Sequence, residues 1–292
     1  MLEMIINPKR AERRPWEMFF IGLVYASLSV LLVKWVFSAD VVLSQYSGIF
    51  MILFTVIFSM PFFYYLIKLE EKKDIQYSGS MRLLKEHSKA IMALLWLFLG
   101  FIVAFSFWYC VMPDSGINFK AQIETFCYIN QPSGFDDCIK EYTQNAGLGI
   151  TGKSLVGGVM SPGDRFVAIF LNNVYVMIFT IIFSLIFGAG AIFILAWNAS
   201  VIAAAIGIFA KNRLLDLPLG LMRYLIHGLP EITAYFVGAL AGGILSIAVI
   251  KHDTQNKKFW QIVKDSINMV LVGLAILIIA ALIEVFITPM FF

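Results

Sequence analysis

Apolar positions in this chain fall into seven blocks of about 20 residues, separated by charged or turn-forming segments. A helix rises about 1.5 Å per residue, so a block of that length crosses a hydrocarbon core of about 30 Å. The pattern predicts transmembrane helices over 17–37, 48–68, 90–112, 166–187, 189–210, 231–250 and 267–288. The expected fold class is all-α, a polytopic transmembrane helical bundle. Before the sixth span, 211–229 alternates basic and apolar residues around Pro218, Gly220 and Gly228. It is too short and too polar to cross, and is expected to be an interfacial or re-entrant segment.

The stretch 166–210 is one apolar run, broken only by Gly188-Ala189-Gly190. Two helices with a tight glycine turn fit its length. A single long tilted or broken helix is the alternative, and it would reverse the orientation of everything downstream.

Basic residues set the expected orientation. Lys9, Arg10, Arg13 and Arg14 precede the first span, six more lie in 68–89, and Lys251, Lys257, Lys258 and Lys264 lie in 251–265. The longest loop, 113–165, holds only Lys120, Lys140, Lys153 and Arg165. Positive residues favour the cytoplasm, so the N-terminus is expected inside the plasma membrane and 113–165 and the C-terminus outside. No short apolar region with a small-residue cleavage site marks the first span as a signal peptide, so it reads as a retained helix.

Composition narrows the function classes. Hydrophobic residues make up 60% of the chain and charged residues 14%, where a soluble domain carries about 25% charged. A soluble enzyme and a nucleic-acid-binding module are both excluded by that balance. The net charge of +3 is too small and dispersed to select a polyanion.

Cys127 and Cys138 sit in the loop read as external, where oxidation is allowed, and a disulfide between them is expected. The alternative is two free thiols. No Cys or His pair sets metal-ligand spacing, so no metal and no cofactor is expected.

In lipid, small residues at four-residue spacing mark helix contacts. Ala199, Ala203 and Gly207 form one such stripe, and Ala234, Gly238 and Gly242 form another. With Gly273 and Ala280 they suggest a compact C-terminal bundle, although such stripes would equally serve a homo-oligomer. The aromatic residues Trp35, Phe62, Phe63, Trp96 and Trp108 read as anchors at the membrane interfaces.

Polar residues inside spans are candidates for function. Asn172 and Asn173 open the fourth span, Asn198 lies in the fifth, Glu231 starts the sixth and Glu284 nears the end of the seventh. His227 and Gly228 precede Glu231 in the run LPLGLMRYLIHGLPEITAYF. Apart from Asn198, these residues are expected on the external-leaflet side, where they could form a site for a ligand, proton or ion. The structural reading is caps, helix-dipole partners and interhelical bonds. His227 and Glu231 are four apart, but Gly228 and Pro230 are expected to break the helix face they would share. No H-E-x-x-H, G-x-S-x-G or P-loop is present, and the chain is not expected to be an enzyme.

Taken in order, these segments resemble the stage II sporulation protein M family. The resemblance covers roughly 90–292 and rests on Asn172-Asn173, the Gly188-Ala189-Gly190 break, the Asn198 region, the LPLG…HGLPEI run and the closing IEVFITP. It implies a family core at 90–292, preceded by a two-span extension at 1–89. It also implies a polytopic helical membrane protein without known catalytic activity. In spore-forming bacteria such a member is a scaffold that holds peptidoglycan-degrading enzymes at the septal membrane. The two extra spans, the Cys-bearing loop and Ala199 in place of a Gly make this chain look more like the archaeal and widespread branch. The expected function is a non-enzymatic scaffold or assembly factor in the lipid bilayer, with unidentified membrane or extracytoplasmic protein partners. The alternative is a transporter or channel using the external-leaflet acids.

Overall fold

Inside lipid a backbone N–H finds no water, so an apolar segment satisfies its own hydrogen bonds by winding into a helix. The structure, a computed structural model, describes residues 7–37, 39–76, 80–131, 134–144, 161–187, 191–210, 214–251 and 257–290. No strand occurs among the described residues. A short α1 (Pro8–Arg13) leads into α2 (Glu17–Phe37), α3 (Ser47–Gln76) and α4 (Ser80–Val111). Three short helices follow: α5 (Ser115–Asn118), α6 (Lys120–Asn130) and α7 (Phe135–Gln144). The chain closes with α8 (Pro162–Phe187), α9 (Ala191–Ala210), α10 (Leu217–Lys251) and α11 (Lys257–Leu282). A π-helical turn, Ile283–Ile287, extends α11. Seven of the described helices are long and apolar enough to cross a membrane, as the block pattern predicts.

Contacts along the helices fix their directions. Asn173 of α8 meets Glu231 of α10, and Ser184 meets Ala239, so α8 and α10 run parallel. Ser106 and Cys110 of α4 meet Ala203 and Gly207 of α9, so those two are also parallel. Phe98, near the middle of α4, packs on Phe236 of α10, while the end of α9 lies against Gly220 near the start of α10. Hence α9 opposes α8, and 166–210 is two antiparallel helices. The connecting Gly188-Ala189-Gly190 lies outside the described residues. The seven helices alternate between two ends. One end carries α1 and the last turns of α3 and α10, and the other carries α5–α7 and the C-terminus.

Helix α10 is the axis, buried from Ile232 to Ala248 apart from half-buried Thr233 and Leu245, and its glycines let neighbours approach. A Cβ on Gly242 would fall 2.6 Å from the Ile181 carbonyl of α8. Gly238 faces Met177 and Ile181, so Gly238 and Gly242 of the Ala234–Gly238–Gly242 stripe meet α8, while the Ala234 carbonyl lies beside Gly273 of α11. The Ala199–Ala203–Gly207 stripe turns instead to α4, where Tyr109 fills the space beside Gly207. The C-terminal bundle thus also takes in α4. A further close approach, Gly22 of α2 against Gly100 of α4, binds the N-terminal spans to the rest.

Two other expectations change. Phe62 and Phe63 are 1% and 0% exposed and belong to the core, whereas Trp35, at 82%, keeps a lipid- or interface-facing position. The residues 217–229, expected to lie in the interface or re-enter, form the first turns of the 35-residue α10, with Pro230 inside the helix. Proline removes one amide donor, and packing against neighbouring helices keeps the helix continuous across it.

Beyond the ends of α3, α4 and α9, helices α6 and α7 form a hairpin closed by the Cys127–Cys138 disulfide, with Cα atoms 5.8 Å apart. It is fastened to the bundle. Phe119 is fully buried against Tyr109 and Phe105, the Gln122 amide donates to the Gly48 carbonyl at 3.0 Å, and Gly116 sits against the Thr143 backbone.

Candidate functional site

The candidate polar residues come from three elements at the hairpin end. Asn172 and Asn173 lie in the third turn of α8 rather than at its start, because the helix begins at Pro162; capping is thus unavailable to them. Asn173 is buried and faces α10, while Asn172 is exposed. The Asn173 amide nitrogen donates to Glu231 Oε1 at 2.6 Å, and its Oδ1 accepts from the Tyr235 hydroxyl at 2.9 Å. Asn172 donates more weakly to the same Oδ1, at 3.4 Å.

Continuity of α10 through Pro230 places His227, Glu231 and Tyr235 at four-residue spacing on one face. The expectation that Gly228 and Pro230 would separate His227 from Glu231 is thereby overturned. Gly228 is buried, yet a Cβ there would meet nothing within 4 Å, so no neighbour requires a glycine.

The third element is the π-helical turn that carries Glu284. Such a turn inserts one extra residue per winding and re-aims the side chains beyond it. Here it brings Glu284 within hydrogen-bonding reach of Glu231. It also sets Thr288 Oγ1 3.3 Å from His227 Nδ1. The two carboxyl groups thus face each other between α10 and the turn after α11. Arg165 and Arg223 lie close enough to His227 to act on its charge, which gives the rim of the site a positive character.

The structure thus joins Asn172, Asn173, His227, Glu231 and Glu284, and leaves Asn198 out: its amide donates to the Ile194 carbonyl of its own helix at 2.7 Å. Tyr235 and Thr288 belong to the site but escaped the sequence reading. Tyr235 was findable by its helical spacing from Glu231, whereas Thr288 depends on the π-turn, which has no sequence signal. Among the described residues no group of three or more His, Cys, Asp or Glu side chains is arranged to hold a metal ion. The site can therefore tie three helices together, hold a proton, or hydrogen-bond a polar group arriving from the hairpin side. It ends at Tyr235. Below that level Gly238 and Gly242 are filled by Met177, Ile181 and Ser184, and Gly243 by Ile67.

Comparison with known proteins bears on the same region. No solved structure matches the chain. A protein of Methanocaldococcus jannaschii described as uncharacterized is 30% identical over 145 residues, covering 48% of this chain and 80% of its own length. The profile of the family described as Stage II sporulation protein M matches residues 92–289, about two thirds of the chain and including every member of the polar site. With most of α4 and all of α8–α11 inside that match, the chain belongs to the stage II sporulation protein M family.

Proposed function

We propose that the protein is a non-enzymatic scaffold or assembly factor of the plasma membrane, with its N-terminus in the cytoplasm and the hairpin outside. The observation that carries this reading is the disulfide-closed hairpin fastened to the ends of α3, α4 and α9. It is a rigid platform beyond the apolar helices. On it Tyr128 and Ile129 remain 71% and 65% exposed, which suits an apolar partner surface better than water. An open groove of about 710 Å³ lies beside the platform, between residues 39–45 and the helices α5–α7. The basic residues concentrated at the opposite end support the assignment of that end to the cytoplasm.

The test is purification from native membranes in mild detergent, comparing the intact protein with a Tyr128→Asp/Ile129→Asp variant. The expected result is a stoichiometric second protein that is lost from the variant while the variant's fold and yield are kept. A homo-oligomer of unchanged composition in both would overturn the reading.

The Glu231–Glu284 carboxyl pair supports a second reading, a transporter or channel. The filled interior below Tyr235 weighs against it. Folded Glu231→Gln and Glu284→Gln proteins are expected to show unchanged ion and solute flux in liposomes. A loss of flux in either would favour transport.

A further inference from the structure

A second buried polar cluster lies at the other end of the molecule, outside the family-matched region. Lys73, in the last turn of α3, places its ammonium 2.6 Å from Glu12 of α1 and 2.8 Å from Glu70 of its own helix. The other oxygen of Glu70 lies 2.7 Å from Nδ1 of His87 on α4. Water scarcely reaches the group: side-chain exposure is 0% for Glu70, 1% for His87, 9% for Lys73 and 10% for Glu12. Two carboxyls thus converge on one ammonium, with an imidazole behind one of them.

Charge bookkeeping across the surrounding elements sharpens the point. Helix α1 contributes Glu12, since the Arg10 guanidinium is engaged with Glu17 at 2.8 Å. Helix α3 contributes Glu70, Lys73 and the buried Glu71. Helix α4 contributes His87 and Glu86, whose backbone carbonyl accepts from Lys73 at 3.4 Å. Helix α11 contributes Asp265, which acts on His87. Glu86 is paired with Lys89 at 2.7 Å, Lys264 acts on Asp265, and Glu71 has contacts of its own. Within the buried four, two carboxyls meet one ammonium and one imidazole, so the group is neutral only with one bound proton, and only Glu12 rides on a segment that can leave without dismantling a membrane-spanning helix.

We propose that Glu12, Glu70, Lys73 and His87 form a proton-binding latch that holds α1 against the ends of α3 and α4, and that loss of one proton releases it. Release would free the basic residues Lys9 and Arg13, already exposed on α1, together with the rest of that segment. Burial, reinforced by the Glu70 carboxyl and opposed by Lys73, pushes Glu12 from its ordinary 4.5 up to about 7. The sign follows from linkage. The docked state holds the proton more tightly than the released state, so docking is fully favoured below about pH 4.5 and weakens as pH rises through about 7. Between those limits the docked-to-released ratio changes by up to about tenfold per pH unit.

The test is hydrogen–deuterium exchange of the full chain in lipid nanodiscs from pH 5 to 8.5, corrected for intrinsic exchange. Protection of amides in 8–14 is expected to fall as pH rises towards 7 and then level off. Glu12→Gln, which mimics the protonated form at nearly the same shape, is expected to stay protected throughout. Protection that is flat with pH in the unaltered chain, or a Glu12→Gln protein that keeps the original pH response, would overturn the latch.

Discussion

The Asn173–Tyr235–Glu231 network makes a quantitative prediction about what holds α8 to α10. Asn173→Ala removes the 2.6 Å bond to Glu231 and the 2.9 Å bond from Tyr235. The Tyr235 hydroxyl, on a residue 3% exposed, is then left without that acceptor. An orphaned buried polar group costs about 1–3 kcal/mol in a water-soluble core, whereas interhelical bonds in membranes average about 0.6 kcal/mol with a maximum near 1.7. Two bonds at the membrane scale give a loss of about 1–3 kcal/mol for Asn173→Ala. Tyr235→Phe removes one of them and is expected to lose about 0.5–1.5 kcal/mol. The double variant should be less destabilised than the sum of the singles by about 0.5–1 kcal/mol, because both remove the same bond. Reversible unfolding in mixed micelles, followed by circular dichroism, measures all four corners of the cycle. Additivity within about 0.3 kcal/mol would refute the idea that this bond ties the helices.

Three glycine and cysteine variants probe the packing directly. Gly242→Ala drives a methyl to 2.6 Å from the Ile181 carbonyl and is expected to cost about 1–3 kcal/mol in the same unfolding assay. Gly228→Ala meets open space inside a helix and is expected to stabilise by about 0.5–1 kcal/mol. If it instead destabilises, the site has a tighter wall than the structure places there. Replacing Cys127 and Cys138 together by Ser opens a link across 11 positions and is expected to cost roughly 2–3 kcal/mol, read as faster proteolysis between α6 and α7.

What the sequence revealed, and what it hid, follows from the solvent. Seven spans and the Cys127–Cys138 pairing were legible because a span needs about 20 apolar residues and a disulfide needs an oxidising loop. The direction a span faces was not legible in the same way. Lipid is as apolar as a protein core, so Phe62 and Phe63 carry no mark that separates core from interface. Gly22 and Gly100 are single glycines on two helices, and no stripe announces their contact. Pro218, Gly220, Gly228 and Pro230 read as helix breakers, yet tertiary packing overrode them and put His227, Glu231 and Tyr235 on one face. Lys73 counted in the sequence only as one of six basic residues in the loop 68–89, and Glu70 and His87 beside it carried no signal of their own. Helices α3 and α4 run into that loop and bury them against α1.

The polar site and the hairpin share one end of the molecule but hang on different helices. Asn173, Glu231 and Glu284 tie α8, α10 and the turn after α11, while the hairpin rests on α3, α4 and α9. The two sets meet where Ile206 and Phe209 of α9 face Gly220 of α10. If the site is a structural tie and the hairpin is the docking platform, a folded Glu231→Gln protein should keep its partner at unchanged stoichiometry. If the partner is lost although the hairpin is intact, the Glu231–Glu284 pair must control the platform through the α9–α10 contact. The scaffold would then be one whose grip depends on a carboxyl pair buried beside it.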